Sequence, residues 1–417
     1  MKLPTIKPGF FRLLLLLLTL VLITILIPYL HWQQRWKEDL TTLREQYVHK
    51  DIHLNHHPDQ ADLFDRRIDA LMKRLPYYYP DNDRVKVSLL QTLTEVGHLH
   101  NSMGFSQTTI LPFRLYWQNE KLYVTAASAP YRQVMYRELI EINGRPLAPL
   151  IRQLRTVIPH DQEQDLRALI PLYILIPDIL HGLQWIDDGS AISLTFSGVN
   201  GSRIPLTVRP IPVSAAARNL EPAAQSTSVL PEKKSPNYSL ASFAGKHALY
   251  LDYNTCTEDL NYPVNQLMLD MQDSIHNLDV NRLIIDLRGN SGGDESLFNP
   301  LFATLQSIPQ LHHRVIVLVD RQTASSALLH AVTLHDELHA VTMGEPAMGS
   351  PNSPGDILPF TLPNSQITVY YCTQEFRRAA YSVLKPDIPV QYTIEDMQQG
   401  NDPVLNAALH YTFLSRS

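Results

Sequence analysis

The chain has 417 residues, a net charge of −6 and 44% hydrophobic residues. That length exceeds one ordinary core and indicates about two globular units. The acidic balance and the lack of a long basic run argue against nucleic acid as a partner. Its 17 histidines are scattered, no Cys/His cluster has metal-ligand spacing, and Cys256 and Cys372 are the only cysteines. A disulfide framework is excluded, while one bridge or two free thiols both remain open.

The first element is an uncharged run, Leu13 to Leu30, preceded by Lys2, Lys7 and Arg12. It is long enough to span a bilayer as a helix. Trp32 and Trp36 follow it, where interfacial aromatics sit, and no small-residue cleavage site follows. The expectation is an uncleaved signal anchor over 1–36, a lipid bilayer as partner, and a body outside the cytoplasmic membrane.

Residues 37–104 read as helical. Leu63, Ile68, Leu71 and Leu75 share one face, as do Val85, Leu89, Leu93 and Val96, and Gly97 is a helix stop. Residues 105–210 read as a mixed α+β cap or substrate region, with "ELIEINGRPLAPLIRQL" as strand, Asn-Gly turn and helix. Residues 211–241 lack periodicity and read as a linker or loop. From 242 to 417, continuous apolar strands ("HALYLDY", "RLIIDL", "RVIVLV", "LHAVTMG") alternate with helices. This predicts an α/β core whose sheet is covered by helices, with functional loops at strand ends.

Two such loops carry serines. "VDRQTASSALLHAV" places Ser325 and Ser326 where a strand gives way to a helix. Serine is an ordinary helix cap there, and equally a nucleophile if a base and free backbone N–H groups lie near. "DLRGNSGGDE" brings Gly289, Gly292 and Gly293, whose backbone can approach closely and offer N–H groups to an anion. Its Ser291 is a rival nucleophile, since "GNSGG" fits the G-x-S-x-G elbow.

"DLRGNSGG", "LVDRQTASSALLHAV", "MGEPAMGSPNSPGD", "LKPDIPV" and "GNDPVLNAAL" follow in this order. In that order the chain resembles the tail-specific, or C-terminal processing, serine peptidases. The likeness is greatest to membrane-anchored bacterial members of the nisin-resistance type. It covers Ala248 to about Leu409, residues 85–105 more loosely, and 105–240 hardly at all. The resemblance implies a crotonase-like (ClpP/crotonase-type) α/β core, peptide or protein substrates, and no cofactor. It implies Ser325 as nucleophile, with the oxyanion held by Ser326 N–H and by Gly292 or Gly293.

Many relatives use a lysine base, but the aligned position here is Ser350, and no lysine lies between Arg321 and Lys385. The histidine-using branch takes its base from an N-terminal helix. "EVGHLH" then offers His100, with His98 as competitor. Glu345, Asp356 and Glu375 are candidates to orient that histidine. Asp286 and Arg288 read as structural charges that need partners. A PDZ-like module within 105–210, the oligomeric state and the substrate stay open. The alternative function is a surface protein that keeps this fold and binds peptides without cleaving them.

Overall fold

The computed structural model describes residues 16–17, 19–20, 22–104, 109–222, 235–278, 280–311 and 313–413. Its first unit is a helical layer, α1 (Ile27–Lys50), α2 (Pro58–Tyr78) and α3 (Asn82–Val96). Trp36, Leu40, Leu43 and Tyr47 of α1 recur at helical spacing and bury against Phe64, Ile68, Leu71 and Leu75 of α2. The predicted stripe Val85, Leu89, Leu93 and Val96 of α3 is buried in the same core. Asp81 caps α3 by accepting from Arg84 N at 3.0 Å, and Gly97 follows its last turn.

The polar α1 overrides one expectation. Trp32 and Trp36, read as interfacial, turn into the fold, and both indoles donate to Asn82 Oδ1 at 2.8 and 2.9 Å. Among the described residues, no helix is long and apolar enough to cross a membrane. The run Leu13–Leu30 lies partly outside those residues; its described leucines and isoleucines, from Leu16 to Leu30, are exposed.

A seven-stranded antiparallel sheet follows, its main path in the order β1 (Phe113–Gln118), β2 (Lys121–Ser128), β3 (Glu138–Ile142), β4 (Ile192–Ser197) and β5 (Arg203–Val208), with two short strands, Arg145–Pro146 and Leu220–Pro222, paired off it. After β3, Asn143 (φ 48°) and Gly144 (φ 71°) make the expected two-residue turn, and Glu141 pairs with Pro146 across it. Helices α4 (Leu147–Leu154), α5 (Glu163–Tyr173) and α6 (Pro177–Gly182) lie between β3 and β4. Their apolar residues join the helical layer in a single core. The stretch read as a linker is structured at both ends: Val213–Asn219 is helical, Leu220–Pro222 pairs with the end of β2, and a strand begins at Tyr238. Residues 223–234 of that stretch lie outside the described residues.

The last unit is a six-stranded sheet in the order β6 (Tyr238–Phe243), β7 (Ala248–Tyr253), β8 (Arg282–Asp286), β9 (Val315–Val319), β10 (Val341–Gly344) and β13 (Ile388–Pro389). Only β6 runs antiparallel. Strand alternation divides its residues. Leu283, Ile285, Val315, Val317 and Val319 pack under α7 (Val264–Asn277), α8 (Asn299–Ser307) and α9 (Ser326–Asp336). Ile284, Ile316, Leu318 and Met343 pack on the other face against Val404, Leu405 and Ala408 of α11 (Pro403–His410), which follows α10 (Ile394–Gln399). All five residues of β9 are buried, each worth about 1.5–3 kcal/mol in apolar transfer. Between β10 and β13 the hairpin β11 (Gly355–Thr361) and β12 (Thr368–Gln374) leaves this unit, and Phe360, Leu362, Ile367 and Val369 bury in the helical layer's core.

The charges predicted to need partners have them. Arg288 donates to Asp286 Oδ2 at 2.6 Å and to Asp402 Oδ2 at 2.8 Å. Cys256 and Cys372 are both buried and unbridged.

Candidate active site

The loops after β8 and β9 lie side by side, as two strand ends in one parallel sheet must. Asp320, at the end of β9, accepts from Gln322 N, Thr323 N and, across the gap, Gly289 N, all within 3.0 Å. Thr323 Oγ1 donates to Leu287 O at 2.8 Å, Ala324 N to Asn290 O at 3.0 Å, and Ser326 Oγ to Gly293 O at 2.6 Å. The serine loop and the glycine loop are one stapled unit.

Ser325 sits at the start of α9 with φ 52° and ψ −129°. A non-glycine residue is held there only at a cost of about 1–3 kcal/mol, supplied by the surrounding staples. Its hydroxyl makes no cap hydrogen bond. The helix-cap role open to this serine in the sequence is therefore not the one its side chain performs. Ser326, by contrast, spends its hydroxyl on Gly293 and keeps its backbone N–H at the first turn of α9, where N–H groups lack helix partners.

The two glycines separate in the same way. Gly292 N–H donates to Asn290 Oδ1 at 2.9 Å, so it is already engaged. Gly292 has φ 102°, and a Cβ there would stand 2.7 Å from Ser325 Cβ and 3.0 Å from Ser326 N. It supplies room. Gly293, with φ 141°, is exposed and lines the same cavity as Ser325 and Ser326. Among the described residues its N–H has no acceptor. The rival Ser291 is exposed and does not line this cavity.

The cavity has a volume of about 630 Å³ and is also lined by His100, Met348 and Ser350. His100 comes from the loop after α3. That loop is pinned by Leu99 N donating to Asp161 Oδ1 at 3.0 Å and by His98 N donating to Asn101 Oδ1 at 3.0 Å. Asn101 is fully buried and donates in turn to the Tyr47 hydroxyl. The His100 ring places Nδ1 2.8 Å from Pro354 O. A carbonyl only accepts, so Nδ1 carries the proton and Nε2 keeps a basic lone pair. Among the described residues, no hydrogen bond joins His100 to Ser325.

His98 is 6% exposed and does not line the cavity, and burial pushes its pKa down to about 3. The three acids offered as orienting partners are engaged elsewhere. Glu345 pairs with Arg321 at 2.5 Å, Glu375 with His56 at 2.9 Å, and Asp356 accepts from Thr373 Oγ1 at 2.6 Å. The partner of the histidine is a backbone carbonyl, which no side-chain pattern announces. Sequence reasoning also missed Asp161 and Asp165. Asp161 Oδ2 accepts from Ser353 Oγ, and Asp165 Oδ1 accepts from Gly349 N at 2.8 Å, joining the mixed region to the loop that carries Pro354. The only signal for them was "HDQEQD", where Asp165 completes a capping box at the start of α5.

Fold and site together define a mixed α/β protein in which a serine at a helix start, without a cap hydrogen bond, lines a cavity shared with a histidine. No family model and no curated protein sequence matches the chain. Among solved structures it is similar to mature CPAF, at 13% identity and a TM-score of 0.63 over 88% of this chain and 95% of that one. Mature CPAF complexed with lactacystin gives 12% and 0.62 over 88% and 96%, and a CPAF mutant 12% and 0.65 over 92% and 99%. The shared architecture thus extends over nearly the whole of both chains.

Proposed function

We propose that this chain is a serine endopeptidase of the tail-specific, C-terminal processing type, built on a crotonase-like core and using a Ser-His pair. The observation that carries the reading is Ser325. It is held in a strained backbone conformation, its hydroxyl makes no hydrogen bond among the described residues, and it shares a cavity with a histidine whose tautomer is fixed by Pro354 O. His100 Nε2 takes the Ser325 proton as Oγ attacks a peptide carbonyl. The N–H groups of Gly293 and Ser326 hold the oxyanion. His100 returns the proton to the leaving amine, and water then releases the acyl group. The exposed apolar run ending at Leu30 supports an anchor in the cytoplasmic membrane, with the catalytic body outside.

A serine-reactive phosphonate tests this on the purified full-length chain. Labelling at Ser325 that is lost in His100→Ala supports it, and labelling at Ser291 overturns it. Mature CPAF is known with lactacystin, so lactacystin is the competitor to try first. A second reading, a peptide-binding protein without turnover, is favoured by the missing Ser325–His100 hydrogen bond. A folded chain that binds peptides and never labels establishes it.

A further inference from the structure

The loop that carries His100 also carries a histidine the reaction does not use. His98 is nine-tenths buried, and among the described residues its Nε2 has no hydrogen-bond partner. Leaving a buried polar atom unsatisfied costs about 1–3 kcal/mol, which is reason to ask what it could bind. Beside it, on β12, lies Cys372, wholly buried and unbridged. One donor atom from each of His98, His100 and Cys372 lies within 4.8 Å of the other two. The Cys372 N–H donates to Asp51 Oδ2 at 3.0 Å, so a carboxylate also borders the group.

We propose that His98, His100 and Cys372 form a three-ligand site for a zinc-like divalent transition metal, and that occupancy switches the peptidase off. Two imidazoles and a thiolate select zinc, cobalt or copper over magnesium and calcium. Three protein ligands leave the fourth tetrahedral position to water. Zinc–ligand bonds of about 2.0–2.3 Å set donors roughly 3.4–3.6 Å apart, so the three side chains close in by about an ångström on binding. The Cys372 thiol proton goes to solvent as the thiolate ligates, with no change of oxidation state. If His100 binds through Nε2, the metal occupies the basic lone pair. If it binds through Nδ1, the Pro354 bond is lost and the proton moves to Nε2. Either way the base is gone. This inhibitory consequence rests on His100 being the base; the metal site does not.

Cobalt(II) is the probe, added to the metal-free full-length chain and read by its absorption spectrum. The expected result is one Co²⁺ per chain with a thiolate-to-metal charge-transfer band. Cys372→Ser abolishes the band, and both Cys372→Ser and His98→Gln weaken Co²⁺ binding at least about 100-fold, since even outer-shell changes cost 10–100-fold. Zinc suppresses phosphonate labelling of the wild-type chain, a chelator restores it, and Cys372→Ser labels equally with and without zinc. The proposal is overturned if the wild-type chain binds no stoichiometric Co²⁺, or if both variants bind it unchanged. A Cys372-dependent spectrum with labelling indifferent to zinc keeps the metal site and removes His100 as base. A chain that never labels removes the peptidase reading, while the spectrum still decides the site.

Discussion

Gly292→Ala is the sharpest perturbation of the serine loop. The added Cβ meets Ser325 Cβ at 2.7 Å and Ser326 N at 3.0 Å, and φ 102° is closed to side chains. The backbone cost is about 1–3 kcal/mol. Relief of the overlap moves Ser325 or Ser326, and a shift near 1 Å costs about 100-fold in rate, comparable to losing an oxyanion donor. The same loop holds its own control. Gly289 also has positive φ, 73°, yet a Cβ there finds nothing nearer than Gln322 Oε1 at 3.9 Å. Gly289→Ala therefore loses about 1 kcal/mol of stability and keeps its reactivity. The assay is the second-order rate of phosphonate labelling at Ser325, with urea unfolding alongside. If folded Gly292→Ala labels within about threefold of wild type, the wedge against Ser325 does not position the nucleophile, and the reasoning fails.

Arg288→Met strands the buried Asp286 and the half-buried Asp402 carboxylates and is expected to destabilise by about 3 kcal/mol; a urea-measured loss under 1 kcal/mol would refute the charge-triad account. Burial pushes His98 down to about 3 and His330 down to about 4 from the usual 6.5. Below pH 6.5 the unfolded chain takes up these protons and the folded chain does not, so stability falls from pH 6.5 towards 4. The expected slope is about 1.4 kcal/mol per pH unit for each histidine, and a flat unfolding profile across that window sinks the argument. Asp161→Ala frees Leu99 N–H and Ser353 together; it should slow labelling roughly 10–100-fold while the affinity for a bound peptide changes little. Equal labelling rates would remove Asp161 as a positioning residue.

What could be read from the sequence follows from what carries periodicity. The stripes of α2 and α3, the apolar centre of β8 and the all-apolar β9 are dictated by burial, and the Asn-Gly turn by its own backbone chemistry. Ser325, Ser326 and the glycine loop were visible as motifs at strand ends. Three features were not visible. His100 is held by the Pro354 carbonyl, and every residue has a carbonyl. Trp32 and Trp36 look the same in a lipid interface and in a core until Asn82 is brought 2.8 Å away. The hairpin of β11 and β12 follows the core strands in sequence but buries in another unit, a choice made by long-range packing that no local pattern encodes.

That hairpin has a further meaning. Ser325, Ser326 and Gly293 lie on loops of one packed core, and His100 lies on a loop of another. Ser325 and His100 meet at one cavity across a seam held by Asp161 with Ser353, Asp165 with Gly349, Pro354 O with His100, and Arg321, whose guanidinium reaches Trp117 O at 2.6 Å. On the proposed mechanism, loosening that seam would part His100 from Ser325 without changing either side chain. On that proposal, reactivity is a quaternary-like property carried within a single chain, open to control by anything that pries the two cores apart or presses them together.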